Sequence, residues 1–223
     1  MIVKKNERKY LAVFTQAQLQ YLRDEMRQKL PEKRYLHTLA VEKEAAALAK
    51  IYLPDRESEV RAAALLHDMT KNLRDNEQIF LAGRLGIPIT EDDIRCPHIL
   101  HGKTAAEVIR IDFPAFVTLN IQSAIRLHTT GGERMSVFDM ILFVADFTEP
   151  TREYEACQKL RRSMWREIRR DPSVRTLRHA VVQEMEFTIA YLKREKLPIV
   201  SATVHALHAQ KEIYESECEQ TDV

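Results

Sequence analysis

The chain has 223 residues, 45% of them hydrophobic, enough to bury one sizeable core, and nothing in its length forces a second domain. Five glycines against 30% charged residues, with Ala, Leu, Glu, Lys and Arg plentiful, exclude the turn-rich composition of a sandwich or barrel and predict an all-α fold. A formal charge of +1 excludes a global field that draws in nucleic acid or an anionic membrane, so any affinity for anions has to be local.

The start MIVKKNERKY lacks the apolar core of a signal peptide, and no later stretch approaches the ~20 apolar residues of a bilayer span. A soluble, cytoplasmic protein without membrane contact is expected. Thr15 is placed to cap a helix through about Leu30, and after Pro31 a second helix runs from Glu32 to about Tyr52, carrying His37 in its first turns and ended by Pro54. Ser58 is a cap candidate for the next helix, whose Val60, Ala63, Ala64, Leu65 and Leu66 have buried spacing, with His67 and Asp68 just beyond. Asp75 and Gly86 bracket a short helix, Thr90 opens a less regular stretch broken at Cys96-Pro97, and a helix resumes from about His98 to Ile109. Pro114 is placed to start a helix through Phe116, Val117, Ile121, Ala124 and Ile125 to His128, where TTGG breaks it. Ser136 and Asp139 make a capping-box pattern for the apolar SVFDMILFVADF, whose far end delivers Asp146. Helices over about 153–170 and 172–195 follow, the second with Asp171 as its cap, and a last one starts near Ser201 and frays into the acidic tail ESECEQTDV. Cys96, Cys157 and Cys218 are odd in number and widely spaced, which fits reduced thiols rather than a disulfide framework or a CxxC zinc site.

A hard or borderline cation that activates water takes imidazole and carboxylate ligands, with room left for water and substrate. His37, His67, Asp68, His101, His128 and Asp146 are the candidates; apart from the adjacent pair, each comes from a different helix, so a bundle can converge them. Asp68 has two oxygens and can bridge two ions. A lone histidine on a helix is more often structural than a ligand, the reading given to His179, His205 and His208. On spacing alone the six-residue site is as open as the structural alternative.

The segments RYLHTL, AALLHDMTK, ILHGKTAA, AIRLHTTGGERMS and FVADFTEPTREY fall in the order seen in bacterial symmetrical diadenosine tetraphosphate hydrolases of the HD superfamily, the YqeK-type proteins, which this chain resembles over about residues 31–208. FTIAYLKREKLPIV also looks like that family's carboxyl-terminal helix. The resemblance implies a helical HD-domain bundle over 31–210 with a metal site at its core, preceded by an extension over 1–30 that packs as a helix or serves a homodimer contact, and followed by the helix end and acidic tail, 211–223. It implies one ion on His37, His67, Asp68 and Asp146 and a second on Asp68, His101 and His128, with iron as the metal; spacing does not select iron over manganese or another divalent ion. His98 lies three residues from His101, but only His101 aligns with the LHG motif. The implied reaction is attack of a metal-bridging hydroxide on an inner phosphate of diadenosine tetraphosphate, giving two ADP.

A polyphosphate also needs cationic clamps. Lys71, in the family's HDxxK position and on the Asp68 face if the helix continues, is assigned with Asp68 to the catalytic step; Lys71, Arg126, Thr129, Thr130 and Arg152 are assigned to substrate. Arg34, Arg134 and Tyr154 match the motifs without an assigned role. Phe147 stands where the family commonly has lysine and Thr151 where it has glycine, which bears on substrate preference and leaves the ligands complete. The basic run KLRRSMWREIRR, with Trp165 inside it, reads as one solvated face opposite an apolar stripe of Leu160, Met164 and Ile168 rather than a nucleic-acid site. Two rivals stay open: an HD-type hydrolase of another nucleotide, and a nucleotide- or metal-sensing protein without turnover.

Overall fold

Helix ends carry most of the information in this fold. The computed structural model describes residues 13–219, and among them eleven α-helices and three short 3-10 turns occur without a strand. The helices are α1 (Gln16–Lys29), α2 (Glu32–Tyr52), α3 (Glu57–Leu66), α4 (Asp75–Arg84), α5 (Glu91–Arg95), α6 (Leu100–Asp112), α7 (Leu119–Leu127), α8 (Val137–Thr148), α9 (Glu155–Ile168), α10 (Val174–Arg194) and α11 (Ser201–Glu219). None is long and apolar enough to cross a membrane.

Capping boxes form where both halves lie within one turn: Thr15 with Gln18, Thr90 with Asp93, and Ser136 with Asp139. Three expected starts move. Ser58 is not a cap, because the 3-10 turn Pro54–Arg56 leads directly into Glu57; its hydroxyl instead accepts from the Phe14 amide at 3.0 Å. Pro114 opens only a 3-10 turn, and α7 begins five residues later behind Thr118, whose hydroxyl accepts from Ile121 N. Asp171 yields the cap of α10 to Ser173, whose hydroxyl donates to the Asp171 carboxylate at 2.9 Å, so Asp171 braces the cap residue. At the other end α11 persists to Glu219 instead of fraying, held by Arg178 on Glu217 at 3.0 Å and His179 stacked on Tyr214. The sequence beyond, like residues 1–12, lies outside the described residues.

The core is built around α8, which buries every residue from Phe138 to Ala145 and packs against α2, α3, α7, α9 and α10. A helix apolar all round belongs in such a position. Against it lies α3, whose Ala62, Ala63 and Ala64 are fully buried and let α2 approach through its own Ala45 and Ala49. Leu19, Leu22 and Met26 of α1 join the same apolar cluster. Glu42 of α2 ties three helices together: it takes Arg23 of α1 and, at 2.9 Å, Arg61 of α3. Glu44 does the same for α9, accepting from Trp165 Nε1 at 2.6 Å and Arg161 at 3.1 Å. Trp165 is therefore spent on the core side while Leu160, Met164 and Ile168 are buried, as the apolar stripe requires.

Replacing Glu42 by Ala takes the carboxylate from Arg23 and leaves Arg61 only the longer pair with Glu57, at 3.7 Å. The expected loss is about 2–3 kcal/mol, reduced from a fully buried pair because both arginines reach water, and it is read as a lower urea midpoint with an unchanged slope.

Candidate metal centre

A helix leaves its last carbonyls without intrahelical partners, and this chain uses such groups to orient imidazoles. His67 follows the end of α3 and its Nδ1–H donates to the Ala64 carbonyl at 2.7 Å; His128 follows the end of α7 and donates to Ile125 at 2.6 Å. His101, in the first turn of α6, donates to the His98 carbonyl at 2.5 Å, which gives His98 a place in the site through its backbone. His37 sits inside α2, where the carbonyl three residues back is committed to the helix, and its Nδ1–H donates to Glu149 Oε1 at 3.1 Å. With each Nδ1 donating outward, each Nε2 points inward.

Those Nε2 atoms converge on Asp68, which is 2% exposed. Its Oδ2 lies 3.7 Å from His37 Nε2 and 3.4 Å from His67 Nε2, while Oδ1 lies 3.4 Å from His101 Nε2 and 3.6 Å from His128 Nε2. Asp146 Oδ1 completes the first pair at 3.0 Å from His37 and 3.9 Å from His67. All six residues singled out from the sequence as ligands thus meet in one cluster. His37, His67 and Asp146, and likewise His67, Asp68 and His128, offer ligand atoms close enough to share an ion.

The donor set fits a cation. His101 Nε2 and His128 Nε2 face each other at 3.1 Å; with both Nδ1 positions protonated these are two lone pairs, which cannot bond each other. His67 Nε2 is buried without a hydrogen-bond partner, and a buried unpaired acceptor is unfavourable by about 1–3 kcal/mol. Histidines whose far nitrogen is fixed by a carbonyl or carboxylate are the usual arrangement around a bound metal.

The electrostatics agree. Burial by itself would raise the Asp68 pKa, yet His67, His128 and His101 hold it well below the usual carboxylate range. Asp146 is held low in the same way, against burial, by Arg152 and His37. Burial, with Lys71 and His128 beside it, keeps His101 far below the ordinary imidazole value and so neutral. For His37 burial opposes the charge, but Asp146 and Glu149 outweigh it and push its pKa up to about 9.

Cations ring the cluster. Arg34 donates to Asp68 Oδ2 at 2.7 Å; Arg152 donates through Nη2 to Asp146 Oδ1 at 2.7 Å and through Nε to the Asp146 carbonyl at 3.0 Å. Lys71 Nζ stands 3.4 Å from both ring nitrogens of His101, and burial lowers its pKa against the attraction of Asp68 and Asp146. The helix does not continue to Lys71: α3 stops at Leu66, and a turn closed by Lys71 N–H on the Asp68 carbonyl brings the side chain back. Thr129 Oγ1 is buried beside the cluster without a partner, and Thr130 Oγ1 donates to the Gly131 carbonyl. Arg126 is placed differently, exposed and paired with Glu107 at 2.5 Å. Two participants had weak signals in the sequence: Arg34 matches a motif without a role, and Glu149 stands inside the segment FVADFTEPTREY with no role of its own. A ligating histidine in mid-helix needs a side-chain acceptor, and that requirement points to such a carboxylate.

Residues 34–151 match the HD domain family, a span that contains the whole cluster. The chain belongs to the HD-domain family. Among its relatives, the symmetrical bis(5'-nucleosyl)-tetraphosphatase of Halalkalibacterium halodurans is 30% identical over 177 residues, 78% of this chain and 87% of that protein. The protein of the same description from Staphylococcus aureus is 28% identical over 184 residues, 82% and 89% of the two chains. A predicted HD superfamily hydrolase involved in NAD metabolism from Clostridium acetobutylicum shares the fold with a TM-score of 0.76 and 26% identity, over 90% of this chain and 99% of that one.

Gly102, next to His101, shows how tightly the cluster is built: a Cβ there would stand 2.5 Å from Thr129 Oγ1, 3.1 Å from the Ile125 carbonyl and 3.2 Å from that of Arg126. Gly102→Ala forces α6 away from the end of α7 and so His101 from His128. A stability loss of about 1–3 kcal/mol is expected by chemical denaturation.

Proposed function

We propose that this HD-domain protein is a metal-dependent phosphohydrolase that splits diadenosine tetraphosphate symmetrically into two ADP. The observation that carries the reading is the convergence of four imidazole Nε2 atoms on the two oxygens of buried Asp68, with Arg34, Lys71 and Arg152 at its edge. The relatives' activity supplies the substrate. His37, His67, Asp68 and Asp146 would hold one divalent ion and Asp68, His101 and His128 another, iron by family resemblance or manganese by the same ligand chemistry. Bound ions supply an acidified water and Lewis acidity toward phosphate oxygens.

The chain's own residues do the rest. Asp68 faces one pair of histidines with each oxygen, so it fixes the spacing of the two halves of the site. Lys71 comes from the His101 side, where its ammonium would neutralise charge growing on an inner phosphate in the transition state. Arg152 and Arg34 brace the carboxylates and keep further N–H groups for the chain of phosphates, and Thr129 and Thr130 offer hydroxyls at the turn after His128. Arg126 would reach a phosphate only after leaving Glu107. In the balanced reaction water adds its oxygen to one inner phosphorus, the bond from that phosphorus to the central bridging oxygen breaks, and the bridging oxygen leaves with the second ADP. With Cys96 and Cys157 buried as free thiols, a reducing cytoplasm is the compartment we assign.

The test is anaerobic purification, metal analysis and product identification with added iron or manganese. ADP as sole nucleotide product supports the reading; ATP with AMP contradicts the symmetry. No turnover of diadenosine tetraphosphate, beside turnover of NAD or a deoxynucleotide in the same panel, transfers the site to another substrate. Asp68→Ala is expected to lose metal and activity together. Lys71→Ala should keep its metal and lose roughly a hundredfold in kcat; normal metal and turnover in Asp68→Ala would sink the assignment.

A further inference from the structure

The turn after His128 joins the end of α7 to the start of α8, and the two last helices grip it from behind. Gly131 closes the turn, its N–H donating to the Leu127 carbonyl at 2.8 Å with φ at +71°. It lies so close under α10 and α11 that a Cβ there would run into Met185 and stand 3.4 Å from the Ala206 Cβ. Beside Ala206 on α11 is Gln210, fully buried. Its Nε2 donates to the Gly132 carbonyl and to the Glu133 carbonyl, each at 3.1 Å, while its Oε1 accepts from Arg178 Nη1 of α10 at 2.6 Å. A guanidinium has only donors and a carbonyl only acceptors, so the amide has one orientation here. Arg178 is anchored in turn by Glu217. Both Gln210 and Arg178 lie outside the span 34–151 that matches the HD domain.

Packing alone would be served by leucine or methionine at this position, since a buried amide is unfavourable unless it is bonded. Gln210 instead completes a set. The Gly131 carbonyl takes the Thr130 hydroxyl, and the Gly132 and Glu133 carbonyls take Gln210, so three successive acceptors of the turn are occupied. The group left over is the Thr129 hydroxyl, buried beside the cluster without a partner. A polar network with every member satisfied holds one arrangement against its alternatives. We propose that Gln210 is a positioning residue for phosphate: by occupying the two carbonyls it fixes the turn in the conformation that keeps the Thr129 hydroxyl free for a phosphate oxygen. The inference rests on the reading of the protein as a phosphohydrolase and extends the working site to α11.

The experiment uses the intact protein reconstituted with manganese and compares Gln210→Glu, Gln210→Met and Arg178→Met with the wild type. Gln210→Glu keeps an acceptor for Arg178 and loses the donors to the turn; Gln210→Met loses both without adding a charge; Arg178→Met breaks the network on the side away from the turn. Urea midpoints, manganese content and tripolyphosphate affinity by calorimetry are measured for each. Both Gln210 variants should hold manganese and bind tripolyphosphate roughly tenfold more weakly, with KM for diadenosine tetraphosphate rising in proportion and kcat little changed. Arg178→Met should lower the urea midpoint and leave tripolyphosphate affinity as in the wild type. Unchanged affinity in both Gln210 variants would overturn the proposal and leave the hydrolase reading intact. Weakening in Gln210→Glu alone would overturn it, because the added charge would be the cause, and equal weakening in Arg178→Met would reduce Gln210 to a structural link. Loss of manganese from the Gln210 variants would overturn it as well, since the turn would then be serving His128. Weaker tripolyphosphate binding in both Gln210 variants of a protein that hydrolyses no dinucleotide supports the positioning role and rejects the reaction.

Discussion

Asp68 is a carboxylate shut away from water among four imidazoles, and keeping it charged there is the demand that the rest of the structure meets. The tautomers make that demand severe. Because carbonyls at Ala64, His98 and Ile125 take the Nδ1 protons of His67, His101 and His128, the Nε2 atoms of these three present lone pairs to an anion, while His37 lies between the Glu149 and Asp146 carboxylates. An arrangement of acceptors facing acceptors is stable only around positive charge. Much of the fold can be understood as holding those acceptors in place. The apolar α8 fixes Asp146 from below, the alanines of α3 let α2 bring His37 close, and Gly102 lets α6 lie against the end of α7. Thr70, Gln78 and Thr104 join the turn after Asp68 to α4 and α6 through bonds of 2.7 to 3.1 Å.

Charge counting links this geometry to substrate. Asp68, Asp146 and Glu149 face Arg34, Lys71 and Arg152, so the side chains alone come near to balance. Divalent ions added to that set leave a large local positive excess, although the whole chain carries only +1. A polyanion with a charge on every phosphate is suited to such a site, whereas a neutral or singly charged substrate would leave most of the excess unmatched. The cations also differ in freedom. Arg152 is doubly bound to Asp146, but Arg34 is held by one contact and Lys71 only leans on an imidazole ring. Phosphate can therefore recruit the last two without dismantling the carboxylate support.

Local chemistry was legible where its parts lie close in sequence. The boxes at Thr15 and Ser136 close within three residues, and α8 announces its burial by being apolar on every face. Ser58, Pro114 and Asp171 misled because a 3-10 turn or a second hydroxyl displaced the helix start by a few residues, and propensity alone does not separate a cap from its brace. The six candidate ligands were visible as residues, and a family pattern made them a set; their convergence depends on packing between helices that are distant in the chain. The His98 carbonyl could not be anticipated from the identity of its side chain. Arg126 looked like a phosphate clamp by its position before LHTT, but a helix surface offers several neighbours, and Glu107 on α6 was the one within reach.

The loop from Glu149 to Tyr154 shows why two departures from the family pattern leave the centre intact. Phe147 is half-buried against the apolar core, so the field at Asp146 is set by Arg152. Thr151, in place of a glycine, donates its hydroxyl to Glu149 Oε1 at 2.8 Å and its amide to Oε2 at 2.6 Å. That grip fixes the carboxylate that orients His37. It also stiffens the turn from which Arg152 reaches Asp146. A glycine there would supply neither the hydroxyl bond nor the backbone restraint. Ligand orientation and charge balance thus depend on one short segment, and a change that loosens it should disturb both together.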